Sequence, residues 1–253
     1  MAKQPCAFCP APATTKEHLW GDWYNSLFGK DNRYLMKQST EGEVRSWKSV
    51  GLNQKFPVLC NACNNEWGSS LETGMKNASA EMIKDGATTV LNAERISAIA
   101  LYSQMKAFVC DYGQKHVAPF HDSHARQEFR EDLIFPTGTQ VWIARTTPMH
   151  GVFKGGYFKP SLSTPRRFQG YVFTISLGHL AIQVTCVRWT KKSNRKYLPC
   201  PLLTQGSIWN KLSIPIFPNC ILPVIWPPLE LLSQDLLDEF INRWKTLNVP
   251  IGV

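Results

Sequence analysis

The sequence predicts an α+β protein in which a small zinc-binding module precedes two helices and a basic, β-rich domain closed by a C-terminal helix. A pair of cysteines near each end of residues 1–65 predicts the zinc module, and apolar residues at helical spacing predict the helices. Short β-branched and aromatic runs after residue 140 predict strands. The expected boundaries are 1–90 for the zinc module, 91–135 for a helical connector and 136–253 for the β-rich domain.

The four cysteines of the predicted module form two Cys-x2-Cys pairs, Cys6 with Cys9 and Cys60 with Cys63. Such a turn presents two thiolates on one side of a tight loop, and two turns complete a tetrahedral shell of four sulfurs. A shell of this kind has no open position, so the expected zinc ion is structural. Each pair alone could instead be a redox pair.

Three helices follow from the spacing of apolar residues. The first is expected over 66–84, and the second begins after Asn92 as N-cap and runs to about Tyr112, where Gly113 favours termination. The third is expected from Ser233 to about Leu247, with an apolar face at helical spacing.

Three runs of the β-rich domain predict strands, namely QVWIAR at 140–145, GYVFTISL at 170–177 and LAIQVTCVRW at 180–189. Gly178 and His179 separate the last two runs. A glycine in a two-residue gap between strand patterns predicts a hairpin turn there.

The net charge of +9 comes from one part of the chain. Residues 136–228 contain eleven Lys and Arg residues and no Asp or Glu. A block of one sign predicts a polyanionic partner, most commonly nucleic acid. Its densest part is a local cluster formed by Lys191, Lys192, Arg195 and Lys196. The alternative is a solvated basic surface without a ligand.

The N-terminus has no apolar stretch of the kind found in secretory signals, and the apolar run at 214–228 is too short to span a bilayer. A cytoplasmic location is therefore expected, where thiols are reduced or bind metal. The cysteines outside the two pairs lack a shared spacing, and we expect them to be buried free thiols.

Two further features accompany the cysteines. Glu17 directly precedes His18 between the two Cys-x2-Cys pairs, and Asn64 directly follows Cys63. This order resembles the HNH, or ββα-metal, nucleases. The four-cysteine variant with Asn after the last Cys is similar to phage endonuclease VII. The resemblance covers roughly residues 5–85 and differs in two ways. No histidine follows Cys63 within the predicted helix, and the interval between His18 and Cys60 is long.

The resemblance implies a metal-dependent endonuclease that hydrolyses phosphodiester bonds, with DNA as the expected substrate. His18 would be the general base, which suits its near-neutral pKa. Glu17 and Asn64 would bind a catalytic Mg²⁺ or Mn²⁺, an ion for which oxygen ligands are suitable. Asn64 could instead cap the helix that follows, with Asn65 taking its place as ligand.

Two other functions stay open. The chain could be a non-catalytic, zinc-stabilised protein that binds nucleic acid, or the β-rich region could sense a ligand that controls the nuclease. A second metal site is also possible in a group formed by His116, His121, Asp122 and His124, with Asp111 upstream of them. Chance histidines in a polar loop explain this group equally well.

Overall fold

The structure of the protein is a computed structural model. It describes residues 4–29, 31–40, 43–114, 117–158, 168–189, 202–203, 207–246 and 251–252. Within these residues no helix is long and apolar enough to cross a membrane.

Helices and strands both contribute to the fold, which confirms the predicted mixture of the two. The helices are α1 (Asp22–Phe28), α2 (Ser69–Asp85), α3 (Ala93–Tyr112), α4 (Ser123–Asp132), α5 (Ser207–Leu212) and α6 (Gln234–Thr246), and a π-helical segment (Ala62–Gly68) leads directly into α2. The strands are β1 (Thr15–His18), β2 (Arg33–Thr40), β3 (Glu43–Val50), β4 (Lys55–Leu59), β5 (Thr89–Leu91), β6 (Thr139–Phe158), β7 (Phe168–Trp189), β8 (Leu202–Leu203), β9 (Ser213–Phe217), β10 (Val224–Trp226) and β11 (Ile251–Gly252).

The central sheet is antiparallel and consists of β7, β6 and β9 in that order. Alternate residues of β6 face opposite sides of it. Val141 and Ile143 pack in the larger hydrophobic core with α2 and α3, whereas Trp142 and Ala144 pack in a second core with α6. The sheet therefore lies between two apolar layers, as the period-two spacing of strand side chains requires.

The hairpin predicted at Gly178 and His179 is wrong. Both runs that were expected to flank it belong to the single strand β7, which pairs with β6 from Cys186 to Gly170. Gly178 adopts a positive φ of 58° opposite a register shift in β6 between Arg145 and Met149. The glycine therefore allows a bend within a continuous strand, and the chain does not reverse there.

The N-caps predicted for the second and third helices are confirmed, whereas the helix expected from residue 66 begins earlier, with the π-helical segment at Ala62. The side chain of Asn92 accepts a hydrogen bond from the backbone N–H of Arg95 at the start of α3, and the Ser233 hydroxyl accepts one from Leu236 N–H at the start of α6. A further helix that was not predicted, α4, forms within the expected helical connector, with Asp122 as its N-cap.

The larger core joins all three predicted segments of the chain. It contains Phe8 from the cysteine module, Phe108 from α3 and Phe173 from β7, each fully buried. Gly178 lies where β7 packs closely against α1 and α2. A Cβ atom at that position would lie 2.2 Å from the carbonyl oxygen of Ile83 and 2.8 Å from the Phe28 ring.

We predict that Gly178→Ala lowers the free energy of unfolding by at least about 1 kcal/mol, since the left-handed backbone alone costs that much for a residue with a Cβ. Gly74→Ala is the matched control: its Cβ would lie 3.5 Å from Ala98, an ordinary contact. Inside α2 that change should be neutral or stabilise by up to about 1 kcal/mol. Urea denaturation of both variants measures the difference, and equal effects would contradict the strained bend.

Candidate metal centre and adjoining polar site

The sulfur atoms of Cys6, Cys9, Cys60 and Cys63 all lie within 4.8 Å of one another. Cys9 Sγ is 3.6 Å from Cys60 Sγ and 3.7 Å from Cys63 Sγ. A tetrahedral zinc with bonds of about 2.3 Å separates its sulfurs by about 3.8 Å. The cluster could therefore hold a metal ion such as zinc, and it is the one group of metal-ligating side chains found among the described residues.

The thiols lie close enough to shift one another's pKa. A hydrogen bond with Cys63 lowers the pKa of the Cys6 thiol to about 5, and the same contact raises the pKa of Cys63 far above its usual value. One thiolate therefore opposes the ionisation of its neighbour. Four thiolates at these distances require a positive charge among them, which a divalent ion bound to sulfur supplies.

Each cysteine pair is held by contacts with the rest of the fold. The first pair lies in a loop closed by a 2.7 Å hydrogen bond from Cys6 N–H to the carbonyl of Ala11. Between its cysteines the buried Phe8 ring contacts Trp67, at 4.8 Å between centroids, and Phe108. In the second pair, Cys63 N–H donates to Cys60 Sγ at 3.5 Å.

The cysteine cluster adjoins an antiparallel pair of strands, β1 and β4, and the helix that follows β4. Asn64 lies within the first turn of that helix, which begins after Asn61, so the capping interpretation of Asn64 is wrong. Its side-chain amide donates to the hydroxyl of Thr15 on β1 at 3.0 Å. Asn65 turns away and bonds to Asn61 at the surface.

Glu17 on β1 is buried and forms a salt bridge with Lys106 of α3. The Lys106 ammonium contacts Glu17 Oε1 and also donates to the carbonyl oxygen of His18 at 2.6 Å. The side chain of Lys106 is 0% exposed and that of Glu17 is 6% exposed. Burial lowers the pKa of Lys106, but Tyr102, Glu17 and Glu72 outweigh it and raise the pKa above its usual value, so the lysine is charged.

His18 faces the other side of β1 and is partly open to solvent, with 27% of its side chain exposed. Burial lowers its pKa, and this effect outweighs the opposing charge of Asp22. The imidazole is therefore neutral at pH 7 and can accept a proton. Its Nε2 lies 3.8 Å from Asp22 Oδ1 on the first turn of α1.

Glu72 of α2 completes this polar group. Burial raises the pKa of its carboxyl, Lys106 opposes the rise, and the nearby Glu17 and Asp22 carboxylates add to it. The carboxylate packs against Gly21, where a Cβ atom would lie only 1.7 Å from Glu72 Oε1. Gly21 thus leaves room for Glu72 to approach the end of β1. The group formed by Glu17, His18, Asp22, Glu72 and Lys106 is called the Glu17–His18 site below.

Lys106 was not among the predicted site residues, and Glu72 had no predicted role. The signal for Lys106 was present, because it follows Ile99 and Tyr102 on one stripe of α3, and all three are buried. A lysine on a buried stripe requires a partner charge. No comparable sequence pattern marked Glu72, because its approach to the site depends on the space left by Gly21, directly before α1.

The histidines after α3 do not form a second site among the described residues. Buried His121 donates its Nδ1–H to the Asp111 carboxylate at 2.8 Å, Asp122 caps α4, and exposed His124 pairs with Glu128. His116 lies outside the described residues.

The basic block is described only in part. The cluster Lys191, Lys192, Arg195 and Lys196 lies outside the described residues. Of the block's residues that the structure does describe, Arg188 packs over the Phe120 ring at 4.3 Å and Lys211 pairs with Glu230 at 3.6 Å.

Comparisons of the chain with protein-family models, curated proteins and solved structures found no match. The resemblance to HNH nucleases thus rests on sequence motifs alone, chief among them those at residues 6–9, 15–18 and 60–64.

We predict about one zinc per chain in purified protein and its loss in Cys60→Ser, because three thiolates cannot complete the shell. Loss of the metal should also lower the melting temperature, since metal binding stabilises the folded state alone. Cys220→Ser is the control, as Cys220 is a free thiol outside the cluster. Metal analysis with thermal denaturation tests this, and a Cys60→Ser protein that keeps zinc and melts like wild type would contradict it.

Proposed function

We propose that the chain is an HNH-type endonuclease in which a structural zinc ion at the four cysteines supports hydrolysis of phosphodiester bonds at the Glu17–His18 site. In this proposal β1, β4 and the helix after Cys60 act as a ββα-metal module. The observation that carries it is the position of His18, a partly exposed histidine beside a buried carboxylate on β1, the strand whose other end, at Thr15, pairs with Leu59 beside the cysteine cluster.

His18 is suited to activate water. Its ring is reachable from solvent and its pKa is lowered by burial, so it is unprotonated at neutral pH and can take the proton of an attacking water. Asp22 Oδ1, 3.8 Å from Nε2, can stabilise the imidazolium that results. Lys106 holds the carbonyl of His18 and thereby fixes the backbone that carries the base.

The residues present fit the expected Mg²⁺ or Mn²⁺ in donor type and charge. Lys106 binds Oε1 of Glu17 and leaves Oε2 as an acceptor. Asn64 donates its amide N–H to Thr15 and leaves its carbonyl oxygen as an acceptor. Lys106 offsets the charge of Glu17, and the nearby Asp22 and Glu72 add negative charge, although burial raises the pKa of the Glu72 carboxyl. Carboxylate and amide oxygens are the ligands that such ions prefer. When bound, such an ion would stabilise the charge that develops on the phosphate.

Nucleic acid, with DNA expected first, is the substrate that suits the +9 net charge. The basic block at 136–228 is the proposed region of contact. The alternative, a protein that binds nucleic acid without cutting it, predicts binding in the absence of any cleavage.

We predict that His18→Ala lowers the cleavage rate by about 10²- to 10⁴-fold, the usual contribution of a general base. Zinc content and nucleic-acid affinity should stay at wild-type values, because the base acts on water and holds little of the substrate. His124→Ala is the control, since His124 is an exposed histidine on α4, with 78% of its side chain accessible.

The measurement is incubation of wild type and both variants with plasmid, single-stranded DNA and RNA, each with Mg²⁺, Mn²⁺ or EDTA. Cleavage that survives His18→Ala would place the chemistry elsewhere. Binding without cleavage in every condition would favour the binding-only alternative.

A further inference from the structure

We propose that Lys106 is a built-in cation that shares the Glu17 carboxylate with the divalent ion, so that this ion binds well only together with the phosphate of the substrate. The inference rests on the proposed function and assigns Lys106 as a positioning residue of the same site. It starts from the contact between the Lys106 ammonium and Glu17 Oε1.

The ammonium of Lys106 is held at the end of β1 by its contacts with Glu17 and His18. It is fully buried, donates to the carbonyl of His18 at 2.6 Å and lies 5.0 Å from the centroid of the Tyr102 ring. A buried ammonium is costly to desolvate, and its contacts with Glu17 and with this carbonyl offset that cost. Lys106 therefore stays beside Glu17 and is not displaced into solvent.

This position changes what Glu17 offers to a metal ion. With Oε1 held by an ammonium, the carboxylate presents one oxygen, and its negative charge is largely neutralised. A divalent ion on that oxygen is repelled by Lys106 across a few ångströms in a site with little water to screen them. Glu17 and Asn64 alone should accordingly bind Mg²⁺ or Mn²⁺ weakly.

A phosphodiester supplies what Glu17 and Asn64 lack. Its oxygens add negative charge and a further ligand, and Mg²⁺ is commonly held by one or two protein groups together with substrate phosphate. The ammonium that repels a free ion attracts the incoming phosphate. Ion and substrate should therefore bind cooperatively, and each should raise the affinity for the other.

The competing explanation is that Lys106 only joins α3 to β1 as a buried ion pair. A structural pair predicts altered stability on substitution but no change in how a folded protein binds a divalent ion. The charge of Lys106 and its packing can be separated by two variants. Lys106→Met removes the charge and keeps most of the apolar stem, whereas Lys106→Arg keeps the charge.

The test is Mn²⁺ binding to zinc-loaded protein, followed by electron paramagnetic resonance without nucleic acid. We expect Lys106→Met to bind Mn²⁺ at least about tenfold more tightly than wild type, because a unit charge a few ångströms from a divalent ion is worth more than this even at an effective dielectric constant of about 20. Lys106→Arg should resemble wild type. So should the control Lys84→Met, which removes an exposed lysine near the end of α2.

A second measurement needs no change at Lys106 and therefore holds even if Lys106→Met does not fold. In a His18→Ala background that prevents cleavage, adding an oligonucleotide should tighten Mn²⁺ binding at least about tenfold, as coupled binding requires. Unchanged affinity in folded Lys106→Met, or in the presence of the oligonucleotide, would overturn the inference. A wild-type protein that cuts nucleic acid yet binds Mn²⁺ tightly by itself would refute this inference and leave the proposed nuclease intact.

Discussion

The close approach of four cysteine sulfurs is the constraint on which the polar site depends. It joins two short segments that are far apart in the chain, residues 6–9 and 60–63, within 4.8 Å. The segment after the first pair becomes β1, and the segment before the second pair is β4, so the cluster fixes the end of this strand pair. The helix that starts at the second pair then brings Asn64 against Thr15. A structural ion at this point would thus set the geometry of Glu17 and His18 without taking part in their chemistry.

A second constraint ties this module to the rest of the protein. Lys106 belongs to α3, outside the region of resemblance, yet its ammonium binds the carboxylate of Glu17 and the carbonyl of His18. Phe8 and Phe108 share the same core. The site is consequently assembled from the cysteine module and from the helices behind it, and a fragment that ends before α3 would expose Glu17 without its partner charge.

Local patterns in the sequence predicted much of this arrangement. The spacing of the cysteines anticipated their cluster, and the Asn92 and Ser233 caps placed the starts of α3 and α6, because these features depend on neighbouring residues in the chain. The turn expected at Gly178 failed because a glycine with positive φ serves a bend as well as a hairpin, and the pairing with β6 decides which. Lys106 and Glu72 depend on contacts between distant helices, which periodicity does not specify. The long interval after His18 contains α1 and the β2–β3 hairpin.

The central claim is that the four cysteines form a closed metal shell and that the chemistry belongs to the neighbouring Glu17–His18 site. X-ray absorption at the zinc edge, recorded on the purified chain with and without an oligonucleotide, tests whether the shell is closed and whether the zinc ion stays apart from the chemistry. The account predicts four sulfur scatterers at about 2.3 Å and the same spectrum when nucleic acid is present. A nitrogen or oxygen scatterer in the shell, or a spectrum that changes when nucleic acid binds, would contradict it by making the zinc ion itself the reactive centre.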